Sequence, residues 1–237
     1  MNNNISTHHQ IPLDIGYKES PGFDQFNPGE NRQVFTLLKK IADGTENGRI
    51  YLWGSAGTGK SHLLQAACLE AGENKRSAVY IPLANYNDLQ PLILEGMESM
   101  NLLCIDDVDN IAGYAEWEQA LLHLYNRVRD ADGSMIFTSK VSPKASKLEL
   151  EDLRSRMGWD LVFHLESLSE PDKIDVLQKR AQLRGFELPD EVAAFLVKRV
   201  RRDFHSLIDL LDQMDRVSLS EKRKLTIPFV KELINES

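Results

Sequence analysis

Eight consecutive residues carry most of the chemistry available to this sequence: Gly54-Ser55-Ala56-Gly57-Thr58-Gly59-Lys60-Ser61. They follow the apolar run Ile50-Tyr51-Leu52-Trp53 and lead through His62 into Leu63-Leu64-Gln65-Ala66-Ala67. Strand, glycine-rich turn, Gly-Lys-Ser and amphipathic helix stand in the order that a phosphate-binding P-loop requires. Glycines let the backbone curl so that successive N–H groups converge on phosphate oxygens, and the helix beginning there adds its positive dipole end. Lys60 is expected to reach the β- and γ-phosphates, and the Ser61 hydroxyl to ligate Mg²⁺. The expected nucleoside-phosphate site therefore comprises Gly54, Ala56, Gly57, Thr58, Gly59, Lys60, Ser61 and His62.

A second chemical group lies downstream, in Asn101-Leu102-Leu103-Cys104-Ile105-Asp106-Asp107. An apolar run that ends in acids suits a buried parallel strand whose carboxyl end faces the nucleotide. Asp106 is the expected Walker B carboxylate, holding Mg²⁺ mostly through water, and Asp107 would orient the attacking water near the γ-phosphate. Ser134 to Ser139 reads as another strand ending in hydroxyls. Thr138 and Ser139 are either sensors of the terminal phosphate or simply a strand end.

The elements that must position these groups follow from periodicity. A helix is expected over Glu30–Ile41, strands over Ser77–Leu83 and Asp160–Leu165, and a long amphipathic helix over Ala115–Arg129. Residues Asp88 to Met97 suggest a helix with Pro91 in its first turn, and Leu148 to Arg156 a charged helical turn. From Ser169 onward no strand signal appears, and helices are expected at about 170–184, 189–201, 203–218 and 227–235. The fold class is α/β: a P-loop parallel sheet with helices on both faces, followed by a small all-helical lid. Domain limits are set at 1–20 for a flexible N-terminal segment, 21–167 for the nucleotide-binding domain and 168–237 for the lid.

Composition narrows the class. The 237 residues carry a formal charge of −8, which argues against a protein whose whole surface grips DNA. No run of 18 uncharged apolar residues exists, and the N-terminus lacks the basic start and apolar stretch of a signal peptide. Cys68 and Cys104 sit in apolar segments and read as reduced, buried thiols, so a cytoplasmic protein is expected. In the polar tail, Gln10-Ile11-Pro12-Leu13-Asp14-Ile15 alternates large apolar residues around a proline, which favours an extended peptide that lays Ile11, Leu13 and Ile15 into a partner's pockets. It resembles the peptide by which bacterial replication proteins hold the DNA polymerase sliding clamp. His8 and His9 read as solvated residues on the same tail.

A P-loop α/β domain followed by a small helical lid resembles the AAA+ superfamily. Phe137-Thr138-Ser139-Lys140 and Leu153-Arg154-Ser155-Arg156-Met157-Gly158-Trp159 are similar to the nucleotide-binding core of the bacterial initiator DnaA, and Gln178-Lys179-Arg180-Ala181 through Phe186-Glu187-Leu188-Pro189-Asp190 extends the likeness into the lid. With Tyr80-Ile81-Pro82-Leu83, Leu124-Tyr125-Asn126-Arg127 and Arg223 to Lys231, the chain resembles the Hda family from Gln10 onward. The lid is expected to end the chain at Ser237, without the initiator's helix-turn-helix domain.

What the resemblance implies is specific. Arg156 matches the family's arginine finger, which would enter the nucleotide site of DnaA and stimulate hydrolysis of its ATP in trans, inactivating the initiator. The sliding clamp (the polymerase beta subunit), held through Gln10, Ile11, Leu13 and Ile15, would keep that event on replicating DNA, so DNA is met only through the clamp. From the residues alone, Arg156 would instead pair with Glu149 or Glu151. The family places a sensor arginine in the lid where His205 stands, with Arg201 or Arg202 as substitutes. With Asp107 in place of the glutamate of many AAA+ ATPases, this predicts weak or no intrinsic ATPase and a resident ADP or ATP, with Mg²⁺, that holds the lid. The shared AAA+ faces would also allow self-association. The alternative is an autonomous AAA+ ATPase acting as a helicase or clamp loader.

Overall fold

The computed structural model describes residues 22–199 and, further on, 207–208, 210–211, 213–214, 226–228 and 230–231. The tail peptide Gln10, Ile11, Leu13 and Ile15, and the lid residues Arg201, Arg202 and His205, lie outside the described residues. Five strands, β1 (Arg49–Trp53), β2 (Ala78–Pro82), β3 (Leu102–Asp106), β4 (Ser134–Ser139) and β5 (Leu161–His164), form one parallel sheet in the order β2-β3-β4-β1-β5. Because successive side chains face opposite ways, each inner strand serves two cores. Tyr51, Leu103, Ile105, Met135 and Phe137 face one layer, with Leu121 and Leu124 of α3 (Ala115–Asp130) and Leu153 and Met157 of α4 (Glu151–Trp159). Ile50, Leu52, Leu102, Cys104 and Ile136 face the other, against Leu38 and Ile41 of α1 (Arg32–Asp43) and Leu63 and Leu64 of α2 (Lys60–Glu73). Covered on both faces, β3 is buried along its whole length, as its unbroken apolar run requires. Neither Cys104, buried in β3, nor the half-buried Cys68 of α2 is in a disulfide.

Two sequence expectations are corrected. No α-helix spans 88–97; three short 3₁₀ turns stand at Leu83–Asp88, Pro91–Leu94 and Met97–Ser99. Gln90, before the proline, is extended at φ −114° and ψ 147°, and Gly96 turns the chain at φ 77°. Both conformations interrupt a helix. The helix expected at Leu148–Arg156 begins later, at Glu151. Leu150 is extended at φ −74° and ψ 100°, and its carbonyl accepts the Arg154 N–H as the first helical bond, while the N–H groups of Glu149 and Leu150 are capped by the Glu118 carboxylate.

The lid packs as a core of its own. Its helix α5 (Glu170–Leu183) starts at Ser169, whose hydroxyl accepts from the Asp172 N–H at 3.3 Å, with Pro171 in the first turn. That is N-cap geometry with a first-turn proline. Gly185, at φ 84°, reverses the chain towards α6 (Asp190–Arg199). Leu177, Ala181, Val192, Leu196, Leu211, Met214 and Val230 close this core. The linker before it is fastened to the α/β domain. Buried Asn31 donates to the Glu166 carbonyl at 3.0 Å and accepts the Glu166 N–H at 2.8 Å, and the Ser55 and Ser167 hydroxyls lie 3.3 Å apart.

Candidate nucleotide site and arginine finger

The loop between β1 and α2 is shaped by its glycines. Gly57 and Gly59 lie at φ 78° and 89°, in the left-handed region that L side chains avoid. A Cβ on Gly59 would also stand 2.6 Å from the Phe26 ring, and one on Gly54 only 2.7 Å from the Leu165 carbonyl. Thr58 braces the loop from inside, its hydroxyl donating to the Ser55 carbonyl at 3.0 Å. Helix α2 begins at Lys60, so its first N–H groups, those of Lys60, Ser61 and His62, have no helical acceptor and are free to meet an anion.

Lys60 is buried and donates to the carbonyls of Gly54 at 2.8 Å and Ser55 at 2.9 Å. Burial lowers its pKa, while Asp107 and Asp106 nearby favour the charged form. His62 does not turn its side chain to the loop. Its Nε2 meets the Gly22 carbonyl at 3.0 Å and its ring packs on Phe26, 5.4 Å between centroids. What His62 can offer a phosphate is therefore its backbone N–H. Phe26 stacks in turn on Phe35 and leads into a cleft of about 630 Å³ between Asp24–Pro28 and the α5 residues Asp175, Val176, Lys179 and Leu183.

Across the sheet edge, buried Asp106 is held by two neighbouring strands. Tyr80 of β2 donates its hydroxyl to Oδ2 at 2.6 Å, and Thr138 of β4 donates to Oδ1. The Thr138 oxygen also accepts the Asp107 N–H at 2.8 Å. Each Asp106 oxygen keeps one lone-pair direction. That would fit an outer, water-mediated role towards Mg²⁺, with Ser61 on α2 as the residue that would ligate the ion directly. Among the described residues no group of three or more His, Cys, Asp or Glu side chains could hold a metal ion, so nucleotide oxygens would have to complete the shell. Asp107 sits at φ 55° and ψ 52°, and its pKa is raised by burial and by the charges of Asp106 and Asp109. The two hydroxyls at the carboxyl end of β4 are both occupied: Thr138 braces Asp106, and Ser139 accepts the Val141 N–H at 3.2 Å.

Arg156 stands elsewhere. Its carbonyl lies 3.4 Å from the Tyr125 hydroxyl, which also donates to Asp160; Asp160 in turn accepts from Arg49, the first residue of β1, at 3.2 Å. The P-loop follows the last residue of the same strand. Five residues of strand rise about 13–17 Å from end to end, so Arg156 lies towards the end of the sheet opposite its own phosphate loop. The guanidinium faces the Trp159 ring at 5.7 Å, and its Nη1 is buried without a hydrogen-bond partner. The ion pair with Glu149 or Glu151 suggested by the residues alone is not formed among the described residues. Sequence reasoning missed Tyr80, Thr138 as a brace, Phe26 and Glu118. Tyr80 and Thr138 carried a signal in hindsight: hydroxyl-bearing side chains within apolar strands that flank the Asp106 strand.

Comparison with known proteins places these features together. The family model of the bacterial DnaA ATPase domain matches residues 17–164, and that of the Hda lid domain matches residues 170–234. Domain III of the replication initiation protein DnaA from Thermotoga maritima superposes with a TM-score of 0.79 at 22% identity, covering 92% of this chain and 96% of that one. A replication initiator DnaA bound to AMPPCP and single-stranded DNA gives 0.70 at 22% identity over 82% of this chain, which spans 64% of that protein's length. A RuvB variant of Thermotoga maritima gives 0.69 at 18% identity, over 91% of this chain and 71% of that one. The last two scores are nearly equal, so the fold alone does not separate one AAA+ protein from another; the family matches do.

Proposed function

The chain belongs to the bacterial DnaA ATPase family and carries a lid of the Hda type, and from that premise we propose that it regulates chromosome replication as a nucleotide-bound adaptor. It binds ADP or ATP with Mg²⁺ through Gly54 to His62, Asp106 and the lid residue His205. It docks on the sliding clamp through Gln10, Ile11, Leu13 and Ile15, and presents Arg156 to ATP held by the initiator DnaA. The domain limits 1–20, 21–167 and 168–237 correspond to tether, nucleotide domain and lid, and the setting is the cytoplasm.

One observation carries the reading: Arg156 forms no ion pair among the described residues and lies towards the opposite end of β1 from its own P-loop. A cation so placed serves a nucleotide bound by another molecule. There it would neutralise charge on the transferring phosphoryl group, a contribution of about 10³–10⁵ in rate. Asp107 in place of the glutamate of many AAA+ ATPases, with His205 at the lid's sensor position, supports slow hydrolysis at home, and the resident nucleotide acts as a structural element. A complete Walker set of Lys60, Ser61, Asp106 and Asp107 supports the second reading, an autonomous loader ATPase.

The deciding experiment follows hydrolysis of initiator-bound ATP in the presence of this protein, ADP and DNA-loaded clamp. Loss of stimulation in both Arg156→Ala and a deletion of residues 1–15, with nucleotide binding retained, is the expected result. Full stimulation by Arg156→Ala, or fast hydrolysis by the isolated chain, would favour the loader.

A further inference from the structure

Helix α4 is nine residues long, too short to hold its own shape in water, and only Leu153 and Met157 anchor it in the core. Two apolar side chains at i and i+4 fix one line along a helix. They do not by themselves prevent it from tilting at its ends. Yet a finger is useful only if its guanidinium is delivered in a fixed direction.

The missing restraint comes from α3. Glu118 is a buried carboxylate, 1% exposed. It accepts the N–H groups of Gly113 at 2.8 Å and Glu149 at 3.1 Å on Oε1, and that of Leu150 at 2.7 Å on Oε2. Three amide donors are what a buried anion without a cation requires. Leu150 is the residue from which α4 starts. Two turns further along α3, and therefore on the same face, Tyr125 is buried with its hydroxyl donating to Asp160, the residue that ends α4, and lying 3.4 Å from the carbonyl of Arg156 itself. Asp160 is fixed from the other side by Arg49 at 3.2 Å. The two ends of the finger helix are thus gripped by two residues of one rigid neighbour. Gly113, the third partner of Glu118, follows the turn Val108–Ile111 that leaves the Asp106–Asp107 strand end.

We infer that Glu118 and Tyr125 are positioning residues for Arg156, clamping the first and last turns of its helix so that the guanidinium is presented to a neighbouring molecule's nucleotide. This rests on the finger role proposed above for Arg156. Neither residue touches the nucleotide. Glu118→Gln keeps shape and volume but turns an amide donor towards a backbone N–H, and Tyr125→Phe removes only the hydroxyl.

The test uses the full chain with initiator, ADP and DNA-loaded clamp, and compares wild type, Glu118→Gln, Tyr125→Phe and Arg156→Ala. It reads the maximal stimulated rate, the half-saturating concentration, the chain's own ADP affinity, and hydrogen exchange. We expect Glu118→Gln to lower the maximal rate at least about ten-fold and Tyr125→Phe about three-fold, with half-saturation and ADP affinity within about two-fold of wild type. Exchange over 151–159 should rise about ten-fold while exchange over 60–73 stays unchanged. Full maximal rates in both variants, while Arg156→Ala abolishes stimulation, would overturn the clamp and leave the adaptor reading standing. A rate loss that merely tracks ADP affinity would overturn it too. Should Arg156→Ala stimulate normally, the adaptor reading falls instead, and unchanged exchange over 151–159 would then refute the clamp independently. If Glu118→Gln does not fold, Tyr125→Phe is judged by the same criteria.

Discussion

The two ends of one parallel sheet are built to opposite specifications. At the carboxyl end, the polar groups at the centre of the site are engaged: Lys60 on two carbonyls, Asp106 on two hydroxyls, Thr138 on a carboxylate and an amide. Towards the other end, Arg156 keeps an Nη1 without a hydrogen bond, stacked only on the Trp159 ring. A closed network holds a ligand in place, because every member restrains the next. A buried donor left without an acceptor is costly, of the order of 1–3 kcal/mol, so hydrogen bonds within its own chain do not account for where Arg156 is held. Under the proposed function, the contrast separates a site that keeps its nucleotide from one that acts on another molecule's.

Substitutions can break this contrast from either side. Arg156→Ala has the largest effect: a loss of about 10³-fold in stimulated hydrolysis on the initiator, with ADP affinity held at wild type and the melting temperature at or above it, because the unpaired buried donor is removed. A simultaneous fall in ADP affinity would mean that the two ends are not separate. Next comes Lys60→Ala, which should weaken ADP binding about 100-fold or more in a calorimetric titration, since it truncates a desolvated charge contact. Thr138→Val is smaller. It strips a partner from both Asp106 and the Asp107 N–H, so thermal or denaturant unfolding should register a loss of about 1–3 kcal/mol, while the exchange of α4 is untouched.

The smallest effect concerns pH. Burial lowers the pKa of His62 from the ordinary 6.5, so the unfolded chain binds a proton more readily than the folded one. The stability that neutral His62 confers is fully present above pH 6.5 and falls as the pH drops from there towards the depressed folded value. Unfolding curves measured from pH 7.5 to 5 should show this slope in the wild type and a flatter one in His62→Gln.

The carboxyl end was legible in the sequence because its chemistry is local. Eight contiguous residues, and two acids at the end of an apolar run, state a phosphate loop and its metal-side carboxylate without any tertiary information. The finger end was not legible in the same way. Arg156 looks like any charged residue of a surface turn, and only its likeness to a family singled it out. What makes it distinctive is a clamp assembled from Arg49, Glu118, Tyr125 and Asp160, which lie up to 111 positions apart in the chain. Glu118 was hidden for the same reason: a carboxylate on an amphipathic helix reads as solvated until the fold puts three amides around it. His62 is a different case: the motif placed it at the site without saying by which atoms, and since its side chain is taken up by the Gly22 carbonyl, only its backbone N–H remains for a phosphate.

The fastening of the linker has a mechanical consequence. Glu166 hangs from Asn31, Ser167 touches Ser55 of the phosphate loop, and Leu165 leaves no room for a side chain on Gly54. The root of the lid is therefore fastened to the loop itself, and a side chain placed at Gly54 would press on Leu165 before anything else.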